Sequence, residues 1–476
     1  MTERPLWQLS AVELSSRISR GEISATEAVE AAIARTSNTN PQINALNKDM
    51  SETALNEAAR LDAVFKESGP VGPLHGVPIT IKDNVDQRGI ATNNGIKAFD
   101  VNVASEDAPF VANMCDAGAV VIGRSNTPEF SLRGTTESPD YGRTYNPWND
   151  WATAGGSSGG SSAAVMSGMG AIAHGNDIGG SLRYPSTVTG ATTVKPGLGR
   201  TPVYNSSQKE ERGLLSQLMA VQGVIAREVR DVRLAMRSAV AYRPQDVWMA
   251  PVPFEGPPPE IPVKVAFTRN PYEFDLHPEV DKALTVARDS LSDAGYEIVE
   301  KEPPNVRAIG EKAWRSLLGD LKVHNLAMMR EFGSAAFNAY LDTLMELAPP
   351  FEGDELLFAL AERTTHIREW QLFLQEYPLV LTPFRLQPTY RWDRDLQGSD
   401  GVDNVLMQGF YGVSMNFLGL PAGNICANYN DGLPIGVQIV GRRFREDMIL
   451  DACEAIEARV GVMAHQLFER QALPQT

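Results

Sequence analysis

Three places in the chain combine residue types that could do chemistry. Residues 154–162 read AGGSSGGSS, Ser181 follows Asp177-Ile178-Gly179-Gly180, and Lys82 closes the apolar run VPITI. A serine hydroxyl becomes a nucleophile only when a base takes its proton. Glycines free backbone N–H groups to converge on one point, which is how an oxyanion can be held without side chains. An ammonium at the end of a buried strand is costly to desolvate unless it is paired. Each place also has a plain structural alternative. Lys82 could reach solvent or pair with Asp83, and the segment before Ser181 could be an ordinary tight turn.

The Gly/Ser run excludes several readings by its context. A flexible linker would be flanked by polar, unstructured residues, whereas this run leads into SSAAVMSGMGAIAHGNDIGGS, a small-residue helix pattern followed by a second glycine pair. A phosphate loop needs a Gly-Lys-Ser/Thr ending or a preceding strand, and TYNPWNDWATA supplies neither. G-x-S-x-G matches twice by overlap, centred on Ser157 and Ser158. A hydrolase elbow, however, needs a strand before it and a downstream acid and histidine. None of His277, His324, His366 or His465 sits in a Gly-rich loop. Ser206 to Lys209 fits S-x-x-K but lacks companion motifs.

Taken together, the three places resemble the amidase signature family, serine hydrolases with a Ser-Ser-Lys triad. GVPITIKDN resembles the family's lysine segment, AGGSSGGSSAAV its Gly/Ser segment, and GNDIGGSLRYPSTVTGATTVKPGLGR its nucleophile segment. The close resemblance covers roughly residues 70–205, and a looser one continues through EYPLVLTPF and PAGNICANYNDGLPIGVQIVGRRFREDMIL. It implies Lys82 as base, Ser157 as bridging serine and Ser181 as nucleophile. The N–H groups of Ile178, Gly179 and Gly180 would form the oxyanion hole, with that of Ser181 a further candidate. It implies an acyl-enzyme route to hydrolysis of amides or hydrazides, with no metal and no cofactor. Asp177 and Arg183 flank the nucleophile and are candidates for a pair that fixes its turn.

Two departures stand out: Asn176 and Gly197 each occupy a position where the family commonly has Thr, and neither is expected to touch the triad. Two alternatives stay open. One is the glutaminase subunit of a tRNA amidotransferase, and the other is a non-catalytic binding relative.

These residues need a scaffold, and the pattern predicts α/β: a large mixed β-sheet core covered by helices on both faces. Ser10–Glu13 and Ser24–Glu27 have capping-box spacing, with Gly21 as a stop between them, so residues 1–65 read as an N-terminal helical layer. Residues 76–84, 119–126, 262–271 and 433–441 are short β-branched runs, and a helical pattern follows the third. The Pro-dense stretch 250–262 could link domains or be a surface loop. The expectation is a single domain over 1–476.

The formal net charge of −16 argues against a nucleic-acid partner, since that affinity rests on Lys and Arg. The N-terminal stretch lacks a signal-peptide pattern, and no run of about 18 apolar residues occurs. A cytoplasmic location without membrane partner is therefore expected. Cys115, Cys426 and Cys453 are three and widely spaced, as buried reduced thiols would be. A small-molecule amide is the expected partner, and a homodimer is one assembly the chain allows.

Residues 306–376 carry long helical patterns rich in Trp314, Met328, Met329, Phe332, Phe337, Tyr340, Met345, Phe351, Phe358, Trp370 and Phe373. Most belong to helix cores, but as a layer outside the motif-bearing segments they could cover the mouth of the site on the substrate side. An adaptable apolar pocket there favours aryl-bearing amides over glutamine or asparagine.

Overall fold

A strand that is apolar on both faces must be covered on both faces, and this requirement organises the chain. The computed structural model describes residues 4–269 and 272–472. Among them, eleven strands form one mixed sheet. In spatial order they are Leu46–Asp49, Val120–Ser125, Pro78–Lys82, Ile172–Asp177, Val221–Ala226, Thr192–Lys195, Ala422–Asn430, Leu433–Gly441, Leu379–Pro383, Lys264–Phe267 and Glu297–Glu300. Alternation along single strands shows the two covered faces. Ile172 and Val224 join Phe110, Val232, Leu284 and Ile449 in the large cluster on one side. Their neighbours Ala173 and Ile225 join Val165, Met166 and Leu467 on the other.

The expected strands at 76–84, 119–126 and 433–441 are present as Pro78–Lys82, Val120–Ser125 and Leu433–Gly441. The run 262–271 shortens to Lys264–Phe267, and its last two residues lie outside the described ones. The helix after it spans Pro278–Asp293. Strands on both sides of the Pro-dense stretch 250–262 belong to the same sheet, so this stretch is a connection within it.

Both capping boxes form, starting helices Ala11–Ser19 and Ala25–Ile43, and Gly21 between them takes φ +68°. The N-terminal layer is not purely helical. Leu46–Asp49 pairs antiparallel with Val120–Ser125 at the sheet edge, its entry turn tied by Asn40 Oδ1 accepting from the N–H groups of Ala45 and Leu46. The small-residue pattern after the Gly/Ser run also divides. Helix Gly159–Met166 ends at Gly168 and Gly170, both at positive φ, and Ile172–Asp177 continues as a strand. No helix among the described residues is long and apolar enough to cross a membrane.

Residues 306–376 form four helices, Val306–His324, Leu326–Phe332, Ala335–Leu347 and Gly353–Glu376. Most of their large apolar side chains are core. Tyr340 and Trp370 pack in one cluster, and Met329 and Phe337 in another around Phe130. Phe332 and Phe358 are exposed. Cys426 and Cys453 are buried, and Cys115 is half-buried.

Candidate active site

Strands Pro78–Lys82 and Ile172–Asp177 run parallel, with Ile79 opposite Ile172. Three residues beyond Ile79 and four beyond Ile172, Lys82 and Asn176 therefore reach the same carboxyl edge. That edge is where parallel sheets place their ligand sites. Thr80 and Lys82 share one face by the strand's alternation, and Lys82 is fully buried there.

Lys82 neither reaches solvent nor pairs with Asp83. Its Nζ lies 2.7 Å from Ser157 Oγ and 2.7 Å from Asn176 Oδ1. Burial holds the Lys82 amine well below the ordinary lysine range, with Asp177 opposing that shift. Asp83 instead faces Arg124 and Asn47. The shift favours the neutral amine.

The Gly/Ser run is buried throughout, so it is no linker. Its glycines allow close approach of main chain to main chain. A Cβ on Gly156 would lie 2.3 Å from the carbonyl oxygen of Arg133, and one on Gly160 would lie 2.5 Å from the backbone of Asn126. Ser157 follows a cis peptide bond. Its neighbours are structural: Ser161 Oγ donates to the carbonyl of His174 at 2.7 Å, and Ser162 Oγ meets Thr189 Oγ1 at 2.5 Å.

The turn carrying Ser181 is organised by Asp177. Its carboxylate accepts from the N–H groups of Gly180 at 2.8 Å and Leu182 at 3.0 Å, and pairs with Arg183 at 2.9 Å, both side chains fully buried. Burial alone would raise this carboxyl, but the charge and hydrogen bonds of Arg183 hold it well below the usual carboxylate range. Asn416 Nδ2 donates to the same carboxylate at 2.9 Å. Arg183 also donates to Asn416 Oδ1 and Gln438 Oε1.

Ser181, Gly156, Ile178, Gly179 and Gly180 line one cleft. Its other walls include Leu132, Tyr184, Trp314, Leu317, Phe384, Val405 and Leu406. Tyr184 stacks between Phe384 and Tyr390, with centroid separations of 6.2 and 5.5 Å. Of the aromatic and methionine side chains expected from 306–376, Trp314 is the one lining this cleft.

Sequence reasoning missed several residues here. Asn176, expected to stand clear of the triad, touches Lys82 Nζ with its amide oxygen, because strand register brings it level with the lysine. Gly197 donates its N–H to Glu446 Oε1. His174 lies behind Lys82, its Nδ1 accepting from the Lys82 main-chain N–H at 3.3 Å and its Nε2 facing Gln222. Burial lowers the His174 pKa to about 3, so this ring stays neutral. Tyr184 and Phe384 carried no signal beyond lying in motif-like segments, and Arg385 lies just past one.

Comparison with known proteins identifies the family. A sequence model of the family described as Amidase matches residues 27–450. The chain belongs to the amidase family. It is 43% identical over 466 residues to an indoleacetamide hydrolase of Bradyrhizobium diazoefficiens, covering 98% of this chain and 89% of that one. A glutamyl-tRNA(Gln) amidotransferase subunit of Heliobacterium modesticaldum is 28% identical, with coverage of 96% and 98%. The fold matches that of a bacterial aryl acylamidase of the amidase signature family with a TM-score of 0.85 at 24% identity, covering 99% of this chain and all of that one. As an amidase it is a hydrolase of carboxylic amide C–N bonds other than peptide bonds.

Proposed function

We propose that this amidase hydrolyses primary amides of arylacetic-type acids, indoleacetamide among them, through an acyl-enzyme on Ser181. The observation that carries the reading is the buried 2.7 Å contact between Lys82 Nζ and Ser157 Oγ beside an aromatic-walled cleft that Ser181 lines. Ser181 Oγ attacks the amide carbon while its proton passes to Ser157 Oγ, and the proton of Ser157 passes to Lys82 Nζ. The same relay, run backwards, protonates the leaving nitrogen, the C–N bond breaks and ammonia departs. Water then attacks the ester with the same base, releasing the acid and restoring Ser181.

The oxyanion reading narrows from the sequence expectation. The N–H of Gly180 is directed at Asp177 Oδ1, which leaves those of Ile178 and Gly179, with that of Ser181 as the further candidate, as donors to the developing charge, each worth about 3–4 kcal/mol in such sites.

The amidotransferase-subunit reading requires a glutamine pocket, with a cation for the substrate's carboxylate. Both arginines lining the cleft are engaged elsewhere. Arg133 forks onto Asp395 at 3.1 and 3.0 Å, and Arg385 donates to the carbonyls of Val405 and Asn404. The apolar walls favour an aryl group instead.

Ammonia release from indole-3-acetamide, phenylacetamide, benzamide and glutamine decides between the readings. Burying an aryl ring contributes about 2–3 kcal/mol, so the arylacetamides should exceed glutamine in kcat/KM by on the order of a hundredfold. Glutamine as the best substrate would overturn the proposal in favour of the amidotransferase reading.

A further inference from the structure

We infer that Asn176, paired with Asn84, is a positioning residue that fixes the direction in which the proton moves at Lys82. The inference rests on the Ser-Ser-Lys reading and adds to it.

The two asparagine amides face each other. Asn176 Nδ2 donates to Asn84 Oδ1 at 2.8 Å, and Asn84 Nδ2 donates to Asn176 Oδ1 at 3.3 Å. The other hydrogen of Asn84 Nδ2 goes to Ser131 Oγ at 2.9 Å, and Ser131 in turn donates to Asn94 Oδ1 at 2.6 Å. Since an amide oxygen only accepts, this chain orients both amides and presents the oxygen of Asn176, not its nitrogen, to Lys82 at 2.7 Å. Main-chain pairing opposite Gln222 holds Asn176 in the strand.

A neutral lysine amine has two hydrogens and one lone pair. Asn176 Oδ1 can only receive a hydrogen from Nζ and has none to offer its lone pair, so the lone pair stays available to the hydroxyl hydrogen of Ser157. A hydroxyl side chain at 176 could donate as well as accept and would not impose that direction. When Nζ takes the proton, the same amide oxygen meets the new cation and stabilises it. The arrangement also reaches the cleft, because Ser131 lines it.

The charged and titratable groups around Nζ are few. Asp177 is the carboxylate acting on it, His174 packs behind its main chain, Arg124 lies beyond His174, and Lys195 is close to Asp177. None of these is altered by a change at 176 alone.

The test compares Asn176→Asp with Asn176→Leu, reading kcat, KM and the acid limb of the pH–rate profile on an arylacetamide, with folded content checked by circular dichroism. The carboxylate should hold Nζ protonated and move the limb up by about 1–3 pH units. The leucine deprives the cation of its acceptor and should move the limb down, with kcat reduced on the order of ten- to a hundredfold and KM little changed. General disruption of the fold cannot move the limb in opposite directions. Should neither variant fold, Asn84→Ser removes the reciprocal pair without touching Nζ and should lower kcat about tenfold at constant KM. A limb unmoved in folded Asn176 variants, or an unchanged kcat in Asn84→Ser, overturns the inference. Activity persisting in Lys82→Ala would instead overturn the triad reading beneath it.

Discussion

Lys82 Nζ and Ser157 Oγ stand 2.7 Å apart with Lys82 fully buried, and on the proposed relay this contact is where the proton of Ser157 is taken up. A lysine at its reference pKa of about 10.4 would be almost wholly protonated near neutrality. Desolvation in the sheet lowers it well below that value, in the direction the proposed base requires.

The first prediction follows from that depressed pKa. A base whose folded value lies below the ordinary lysine range is neutral above that value and protonated below it, so the rate should rise with pH along one acid limb and level off well before pH 10. Two neighbours need separating from it. His174, lowered to about 3 by burial, is neutral across the whole range, whereas Lys195, lowered to about 7 first by burial and then by Arg183, titrates within it. The limb should persist in Lys195→Met, and Lys82→Ala should lose several orders of magnitude in acylation. A rate constant from pH 9 to pH 5 is incompatible with a lysine base.

The Asp177–Arg183 pair yields a stability prediction. Removing one partner of a buried ion pair strands the other charge and typically costs about 3–5 kcal/mol. Asp177→Ala should therefore unfold at markedly lower denaturant, measured by circular dichroism. Because the same carboxylate anchors the N–H groups of Gly180 and Leu182, whatever folds should also be slow. A variant as stable and active as the parent would show that the turn holds itself.

Substrate preference turns on the cleft walls. Trp314→Ala should lower kcat/KM for phenylacetamide and indole-3-acetamide by roughly ten- to a hundredfold, the equivalent of about 1.4–2.7 kcal/mol of lost aryl contact, with little change for acetamide. Met329→Ala and Phe337→Ala should leave the ranking of substrates intact. Phe337 is fully buried in a cluster outside the cleft, so its truncation should appear as about 3–5 kcal/mol of lost stability. A changed ranking in Phe337→Ala would extend the pocket beyond the walls described.

What was legible in the sequence had local causes. Capping boxes at Ser10 and Ser24 name their helices because both partners lie within one turn, and the β-branched runs ending at Lys82 and at Ser125 name buried strands. The triad candidates were legible through motif resemblance. What escaped depended on register between distant strands. Asn176 meets Lys82 across 94 residues of sequence, and nothing near either residue announces that contact. The short edge strand Leu46–Asp49 escaped for a similar reason, since LNKD has no apolar alternation and exists through its pairing with Val120–Ser125. The walls formed by Tyr184, Phe384 and Val405 come from three separate segments, so the cleft became visible only in the fold. The expectation that most aromatic residues of 306–376 are helix core agrees with their packing, because aromatic residues at helical spacing pack first against other helices, while Trp314 reaches the cleft.

On the proposed route Ser181, and not Ser157, carries the acyl group. Reaction with a fluorophosphonate followed by peptide mapping tests it most directly, because the adduct marks whichever oxygen the relay activates. Phosphonylation is expected at Ser181 in the parent enzyme, with strongly slowed labelling in Lys82→Ala and none in a folded Ser181→Ala. An adduct on Ser157, or labelling that persists in Ser181→Ala, would contradict it.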